Sequence, residues 1–393
     1  MRRPSTTEVS DREGRLVFVL AGTAGEVATE LAPDAGISWQ RLIRIGAEEN
    51  ALIALRRYLR QYGEPMVPRH IERQLAMATL HIEARMRATQ RRVEALTVAL
   101  NAVGIEPVLL KGAALATTVY AAWEDRPMRD VDLLVREDQL AAARDAVLAH
   151  GWAPHPAVPG DRAYASHHHL TPFVAADGGA AHVEIHRSLL PIGHPFSMAP
   201  DEVFQHTVPV TIGAGRAAVM RPHHHAVYMA AHLVWLHQVR RGGWHAFRDL
   251  AAMSSHRGFD WCAFSETATR WGAASCAYWT LRLGRALAGI AVPPDVVQHL
   301  RPAVPETMLA HLERHLTALL LRSDPACPSV TLERALWSLA IQPRRSGHRR
   351  IRPWTVSTDL AAEQSLRAGP GAGRAPLLER AKRCSTYLAN LVC

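Results

Sequence analysis

The sequence is poor in cysteine and in long apolar runs. Its cysteines are odd in number and include no CxxC pair: Cys262, Cys276, Cys327, Cys384 and Cys393. This scatter argues against a disulfide framework and against a thiolate zinc site, and it fits a cytoplasmic protein. The apolar run at residues 16–20 is too short for a signal-peptide core or a membrane span, so no membrane partner is expected.

Aromatic residues and lysine are also scarce. Aromatics make up 6% of the chain and do not interleave with the arginines, so the stacking signature of an RNA binder is weak. The net charge of +9 comes almost entirely from arginine, because Lys111 and Lys382 are the only lysines. The charge favours an anionic partner such as a nucleoside triphosphate, nucleic acid or an acidic peptide. Lys111 is therefore a candidate for a position that requires a compact ammonium.

The residues with the most distinctive chemistry begin after a short apolar run at 108–110. That run ends at Lys111-Gly112 and is followed by an alanine-rich stretch, which predicts a strand, a tight turn and a helix. In the next strand Asp130 and Asp132 share one face, because alternate residues of an extended chain point the same way. Two acids in this pattern either form a cation site or lie in a turn with solvated charges.

A third acid, Glu184, favours the cation site. It lies within His182-Val183-Glu184-Ile185-His186, whose alternation predicts another strand. This HxExH pattern can also be read as a zinc site, but a strand spreads its side chains over about 13 Å, which is too far for both imidazoles to reach one ion easily. The histidine runs at 167–169 and 223–225 are either polar surfaces or zinc ligands.

These motifs occur in one order along the chain. They are Lys111-Gly112, Tyr120, Arg126-Pro127-Met128, Asp130-Val131-Asp132-Leu133-Leu134-Val135, Gly151-Trp152 and Glu184-Ile185-His186. Together they resemble the uncharacterised nucleotidyltransferase family, whose members resemble the polymerase-beta-like nucleotidyltransferase superfamily and often lie near genes for lasso peptides and similar natural products. The resemblance covers most of residues 35–300. The superfamily's usual Gly-Ser pair is here Lys111-Gly112-Ala113, so no hydroxyl is available there to hold a phosphate.

The resemblance implies a metal-dependent enzyme that moves a nucleoside monophosphate from an NTP to an acceptor hydroxyl or phosphate. Asp130 and Asp132 would bind Mg²⁺ or Mn²⁺, and Glu184 would complete the metal site and accept the acceptor's proton. Lys111 would neutralise triphosphate charge, and Gly112 would let the phosphates approach the start of the following helix.

Other candidate residues have two interpretations each. Arg126 either binds a phosphate of the nucleotide or forms a structural ion pair with the first aspartate of the DxD, and Arg129 poses the same question. His186 is an accessory candidate beside Glu184. His232 is expected to pack inside a helical region, and Asp249 either pairs with a neighbouring arginine or faces the cleft.

The predicted fold class is α+β. A small mixed β-sheet nucleotidyltransferase core of at least four strands would be flanked by N-terminal helices and a C-terminal helical lobe. The regions expected are an N-terminal helical region at 1–103, the α/β core at 104–215, the C-terminal lobe at 216–340, and a basic loop with a terminal helix at 341–393. Residues 1–34 are expected to be polar and frayed at the start, with helices at 39–62, 67–101 and 137–150 and a strand at 164–174.

Three function classes remain after this reading. The favoured one is nucleotidyl transfer to a peptide or small-molecule acceptor. The second is an RNA nucleotidyltransferase in which a basic loop guides a tRNA-like acceptor, through Arg344, Arg345, Arg349, Arg350 and Arg352. The third is a non-catalytic nucleotide-binding protein, and the intact set of three acids argues against it.

Overall fold

The structure is a computed structural model that describes residues 12–22, 37–62, 67–158, 160–179, 181–256, 258–321, 329–341 and 377–392. The basic loop expected at 343–353, with its arginines, lies outside these residues. None of the described helices combines the length and the apolarity needed to cross a bilayer.

A seven-stranded mixed sheet forms the centre of the fold, in the order β3-β4-β5-β2-β1-β7-β6. Its strands are β1 Val108–Leu109, β2 Val131–Leu134, β3 Trp152–Pro154, β4 Phe173–Ala175, β5 His182–His186, β6 Thr207–Ile212 and β7 Gly215–Met220. β2 runs parallel to β5 and β1 runs parallel to β7, while the other neighbours are antiparallel. This architecture confirms the predicted α+β class.

The first group of helices comes from the N-terminal half of the chain. They are α1 Arg12–Val19, α2 Trp39–Glu48, α3 Leu52–Tyr62, α4 Arg69–Ala102, α5 Lys111–Thr118, α6 Leu140–Ala149 and α7 Asp161–Tyr164. Apolar residues of α4, α5 and α6 form one core cluster with the sheet, because the sheet places its valines and leucines on the side that these helices cover.

One C-terminal helix, α8 Pro200–Gln205, precedes β6, and the others follow β7. These are α9 Pro222–Ala231, α10 Gly243–Ser254, α11 Trp261–Arg270, α12 Ala274–Ala288, α13 Pro294–Leu300, α14 Glu306–Leu321, α15 Val330–Ile341 and α16 Leu377–Val392. A second core cluster contains apolar residues of α8 to α15 together with those of α1, α2 and α3. The N-terminal and C-terminal helices therefore share one core; the rings of Phe18 and Phe247, for example, lie 5.9 Å apart.

Three local predictions were wrong. The stretch expected to be polar contains α1, whose Val17 and Phe18 are fully buried. The single helix expected at 39–62 is two helices, separated where Asn50 adopts a φ of 56°, a left-handed conformation that asparagine tolerates. The strand expected at 164–174 is instead the end of α7, a bend and the start of β4, because this segment pairs with its neighbours only through an isolated bridge between His169 and His186 before β4 begins.

Candidate active site

Asp132 and Glu184 meet where β2 and β5 lie side by side, and Asp130 directly precedes β2. The parallel register pairs Asp132 with Glu184 and Leu134 with His186. On the other side of β2, the backbone N–H of Leu110 donates to the carbonyl oxygen of Asp132 at 3.0 Å. The sheet therefore brings the start of α5 and both acidic strands to one place.

Lys111 and His186 both contact the same oxygen of Asp132. The Lys111 Nζ donates to Asp132 Oδ1 at 3.0 Å, and the His186 Nε2 donates to that oxygen at 2.8 Å. The His186 Nε2 also lies 3.4 Å from Glu184 Oε2, while its Nδ1 donates to the carbonyl oxygen of Ser188 at 3.3 Å. Because both ring nitrogens of His186 face acceptors, the geometry favours the imidazolium.

The pKa values of the two cations and of their acid partner reflect this pairing. Burial alone would lower the pKa of His186, but hydrogen bonds to Asp132 and Glu184 raise it to about 9. Burial opposes the charged form of Lys111 as well, yet the neighbouring carboxylates hold its pKa well above the usual value. Burial would raise the pKa of Asp132, and Lys111 and His186 outweigh it, so that this pKa lies well below its usual range. Asp132 is therefore a carboxylate at neutral pH.

Asp130 directly precedes β2 and is exposed by surface area, although many protein atoms surround its carboxylate. Desolvation by these atoms raises the pKa of Asp130 to about 6, and the negative charges of Asp132 and Glu184 act in the same direction. This repulsion between three acids is the electrostatic situation that a divalent cation relieves.

The donor set fits a divalent cation. One ligand atom each from Asp132, Glu184 and His186 lies within 4.8 Å of the others. Carboxylate oxygens suit Mg²⁺ or Mn²⁺, and within the described parts of the chain no hydrogen bond engages Asp132 Oδ2. Asp132 and Glu184 are therefore a candidate metal centre. Together with Asp130, on whose pKa both of their charges act, we call them the carboxylate centre.

Arg126 has a different partner from the one predicted. Its Nε and Nη2 donate to the two carboxylate oxygens of Asp249 at 2.7 and 2.8 Å, and its Nη1 donates to the carbonyl oxygen of Pro127 at 3.0 Å. Both charged side chains are buried, and Tyr120 adds a hydrogen bond to Asp249 at 2.7 Å. The structure thus gives Arg126 a structural ion pair, with Asp249 on α10 rather than with Asp130.

Gly112 and Lys111 begin α5 in a crowded place. A Cβ on Gly112 would lie 3.3 Å from Arg126 Nη1 and 3.4 Å from Met128, so these two side chains leave little room for a larger residue. Lys111 has a φ of 45°, which is uncommon for a residue other than glycine and is found most often at functional sites. The first N–H groups of the helix and its dipole at this end favour an anion.

Arg129 lies apart from this arrangement. It is exposed, and its charge acts on the pKa values of Glu49 and His245, on the side of the helical core. His182 also lies apart, because its ring contacts that of His155 at 5.3 Å. The HxExH pattern therefore does not gather its two histidines around one ion.

The sequence analysis missed one wall of the site. After α9 the chain forms a π-helical turn, His232–Leu236, followed by Gln238 and Val239 with φ values of 51° and 63°. A π-turn and left-handed backbone in a β-branched residue are both rare and are enriched at functional sites. Burial lowers the pKa of His232, and the charge of Lys111 lowers it further, which places this histidine beside the carboxylate centre.

Comparison with known proteins gives one match. A family model described as an uncharacterised nucleotidyltransferase matches residues 35–289, about two thirds of the chain. Comparison with curated proteins and with solved structures finds no match.

Proposed function

Because the chain belongs to the uncharacterised nucleotidyltransferase family and is therefore a transferase, we propose that it moves a nucleoside monophosphate from an NTP to a peptide or small-molecule acceptor. The bond that forms joins an acceptor hydroxyl or phosphate oxygen to the α-phosphorus, and pyrophosphate leaves. The parallel register of β2 and β5 supports this most directly, because it sets Asp132 beside Glu184. Asp130 lies two residues before Asp132.

The three acids have separate roles in this proposal. Asp130, Asp132 and Glu184 would hold Mg²⁺ or Mn²⁺, which when bound would neutralise the triphosphate and the charge that develops during transfer. Asp132 is held in its ionised form by two cations. Glu184, whose side chain is 20% exposed, would accept the proton of the attacking hydroxyl because it is ionised and solvent can reach it.

Lys111 and the start of α5 would bind the polyphosphate. The ammonium of Lys111 lies 3.0 Å from Asp132, and no side chain among the described residues caps the start of α5, so its first N–H groups would be available to the phosphates. Arg126 would have a positioning role only: it would fix the backbone that leads into β2. Arg129 and His186 would be accessory: Arg129 at the rim, and His186 as the group that orients Asp132.

A labelled substrate tests the reaction and the acceptor class together. Incubating the protein with α-³²P-NTP, Mg²⁺ and either a co-encoded peptide, a small-molecule fraction or bulk tRNA should transfer label to the peptide or small molecule. Glu184→Gln should abolish transfer because the acceptor's proton then has no base, whereas Glu137→Gln, a change at an exposed glutamate outside the site, should not. Label on tRNA instead would select an RNA nucleotidyltransferase, and no transfer to any acceptor would contradict the proposal.

A further inference from the structure

Three consecutive histidines form a second cluster beside the carboxylate centre. His167, His168 and His169 lie in the bend between α7 and β4, and one ligand atom of each lies within 4.8 Å of the others. Their ring centroids are 4.2 to 4.7 Å apart. The bend is attached to the end of β5, because the backbone N–H groups of Arg187 and Ser188 donate to the carbonyl oxygen of His168.

The first two imidazoles of the run carry lone pairs rather than charges. Burial lowers the pKa of His167 to about 4 and also lowers the pKa of His168, with the neighbouring histidines acting in the same direction on both. At neutral pH these two rings are therefore neutral, and each has one nitrogen able to act as a ligand.

Two of the ring nitrogens lack any partner in the described part of the chain. The Nδ1 atoms of His167 and His168 are buried without a hydrogen bond, and His168 is only 7% exposed. An unpaired buried polar atom destabilises the fold, and a ligand would offset this cost. His169 donates its Nδ1–H to the carbonyl oxygen of Leu170 at 2.6 Å, the arrangement that leaves Nε2 free to bind a metal.

We propose that His167, His168 and His169 bind one Zn²⁺ ion at a site separate from the carboxylate centre. Three nitrogen ligands suit zinc and leave a fourth position open, in contrast to the oxygen ligands that suit Mg²⁺. The site borders the carboxylate centre, because His169 Nε2 lies 3.6 Å from Glu184 Oε2. This inference does not depend on the proposed reaction, since it concerns binding alone.

The second histidine run provides a matched comparison. His223, His224 and His225 have the same composition, but they occupy the first turn of α9. Successive side chains of an α-helix diverge by about 100°, so three neighbours cannot converge on one ion. The same sequence can therefore act as a ligand set in the bend, whereas in α9 its three side chains point in different directions and two of them, His224 and His225, are buried.

Zinc stoichiometry tests the proposal. The full chain is treated with chelator, incubated with Zn²⁺, desalted and measured by plasma mass spectrometry, and wild type should retain about one ion per chain. His167→Ala and His168→Asn should retain less than about a tenth of that, because each removes one of three ligands. His223→Ala, a change at the equivalent half-buried first histidine of the other run, should retain the wild-type amount.

Two further measurements keep the result unambiguous. Asp132→Asn should keep its zinc even if it loses nucleotidyl transfer; loss of zinc there, with retention in His168→Asn, would place the ion in the carboxylate centre and overturn the proposal. Co²⁺ in the wild-type chain should give visible absorption bands that Zn²⁺ displaces, so the proposal does not rely on whether the variants fold. Wild type without zinc and without these bands would overturn it as well.

Discussion

Glu49 shows at the scale of one residue how burial shapes the charge of this protein. It follows α2, is 3% exposed, and accepts a hydrogen bond from the backbone N–H of Trp244 at 3.4 Å. Burial raises the pKa of Glu49 to about 7, although the Trp244 hydrogen bond and the charge of Arg129 act in the opposite direction. The folded protein therefore binds this proton more tightly than the unfolded chain does.

The raised pKa of Glu49 predicts a pH dependence of stability. Its contribution is fully present below the ordinary pKa of 4.5, declines as the pH rises, and is lost once the pH passes about 7. Glu49→Gln keeps a hydrogen-bond acceptor without the charge, so the variant should lose less stability than wild type between pH 5 and pH 8. Melting temperatures measured by calorimetry across this range check it.

The control for this prediction is the adjacent exposed acid. Glu48→Gln should leave the pH profile of wild type unchanged, since Glu48 is exposed at the end of α2. Parallel melting profiles for wild type and Glu49→Gln would show that Glu49 titrates normally in the folded protein.

Single residues were also where the sequence was most informative about the site. A period of two predicts the face on which each acid lies, and the register of β2 and β5 does pair Asp132 with Glu184. The partner of Arg126 could not be found in this way, because Asp249 lies 123 residues further along the chain and no local pattern connects them.

At the scale of elements, the Arg126–Asp249 pair joins the segment before β2 to α10. It connects the layer that contains the sheet to the helical core, and Tyr120 from the end of α5 completes it. Since both charges are buried, removing one leaves the other without compensation. We predict that Asp249→Asn lowers the free energy of unfolding by about 3–5 kcal/mol.

An exposed pair of the same chemistry is the control. Arg92 and Asp177 also form a salt bridge, but the Asp177 side chain is 63% exposed. Asp177→Asn should destabilise the protein far less than Asp249→Asn does, because solvent screens such pairs. Urea unfolding of both variants measures the difference, and equal costs would mean that the buried pair does not hold the two layers together.

Elements without a regular period were the ones that sequence reasoning could not locate. The bend at 167–169 is held in place by the bridge between His169 and His186. No sequence pattern within the bend predicts that pairing. The π-turn His232–Leu236 lies inside a stretch whose composition is that of an ordinary helix. His169 in the bend lies 3.6 Å from Glu184, and the charges of Lys111 and Asp132 act on the pKa of His232 in the π-turn, so both missed elements are close to the site.

At the scale of the whole molecule, the fold class was predictable from the sequence, but the packing of the helices into layers was not. Alternating and helical periods separate the strands from the flanking helices, which is sufficient for an α+β assignment. That the N-terminal helices and the C-terminal helices share one core follows only from tertiary packing, as with Gly243 on α10, where a Cβ would lie 2.4 Å from Leu320 and 3.1 Å from Phe18.

The central claim is that the carboxylate centre binds an NTP together with a divalent cation. Calorimetric titration of wild type with an NTP should show binding in the presence of Mg²⁺ that is lost on chelation, and Asp132→Asn should bind at least about tenfold more weakly, which corresponds to about 1.4 kcal/mol. Asp138→Asn, which changes an exposed acid outside the site, should bind as wild type does. Equal Mg²⁺-dependent affinity in wild type and Asp132→Asn would contradict the account.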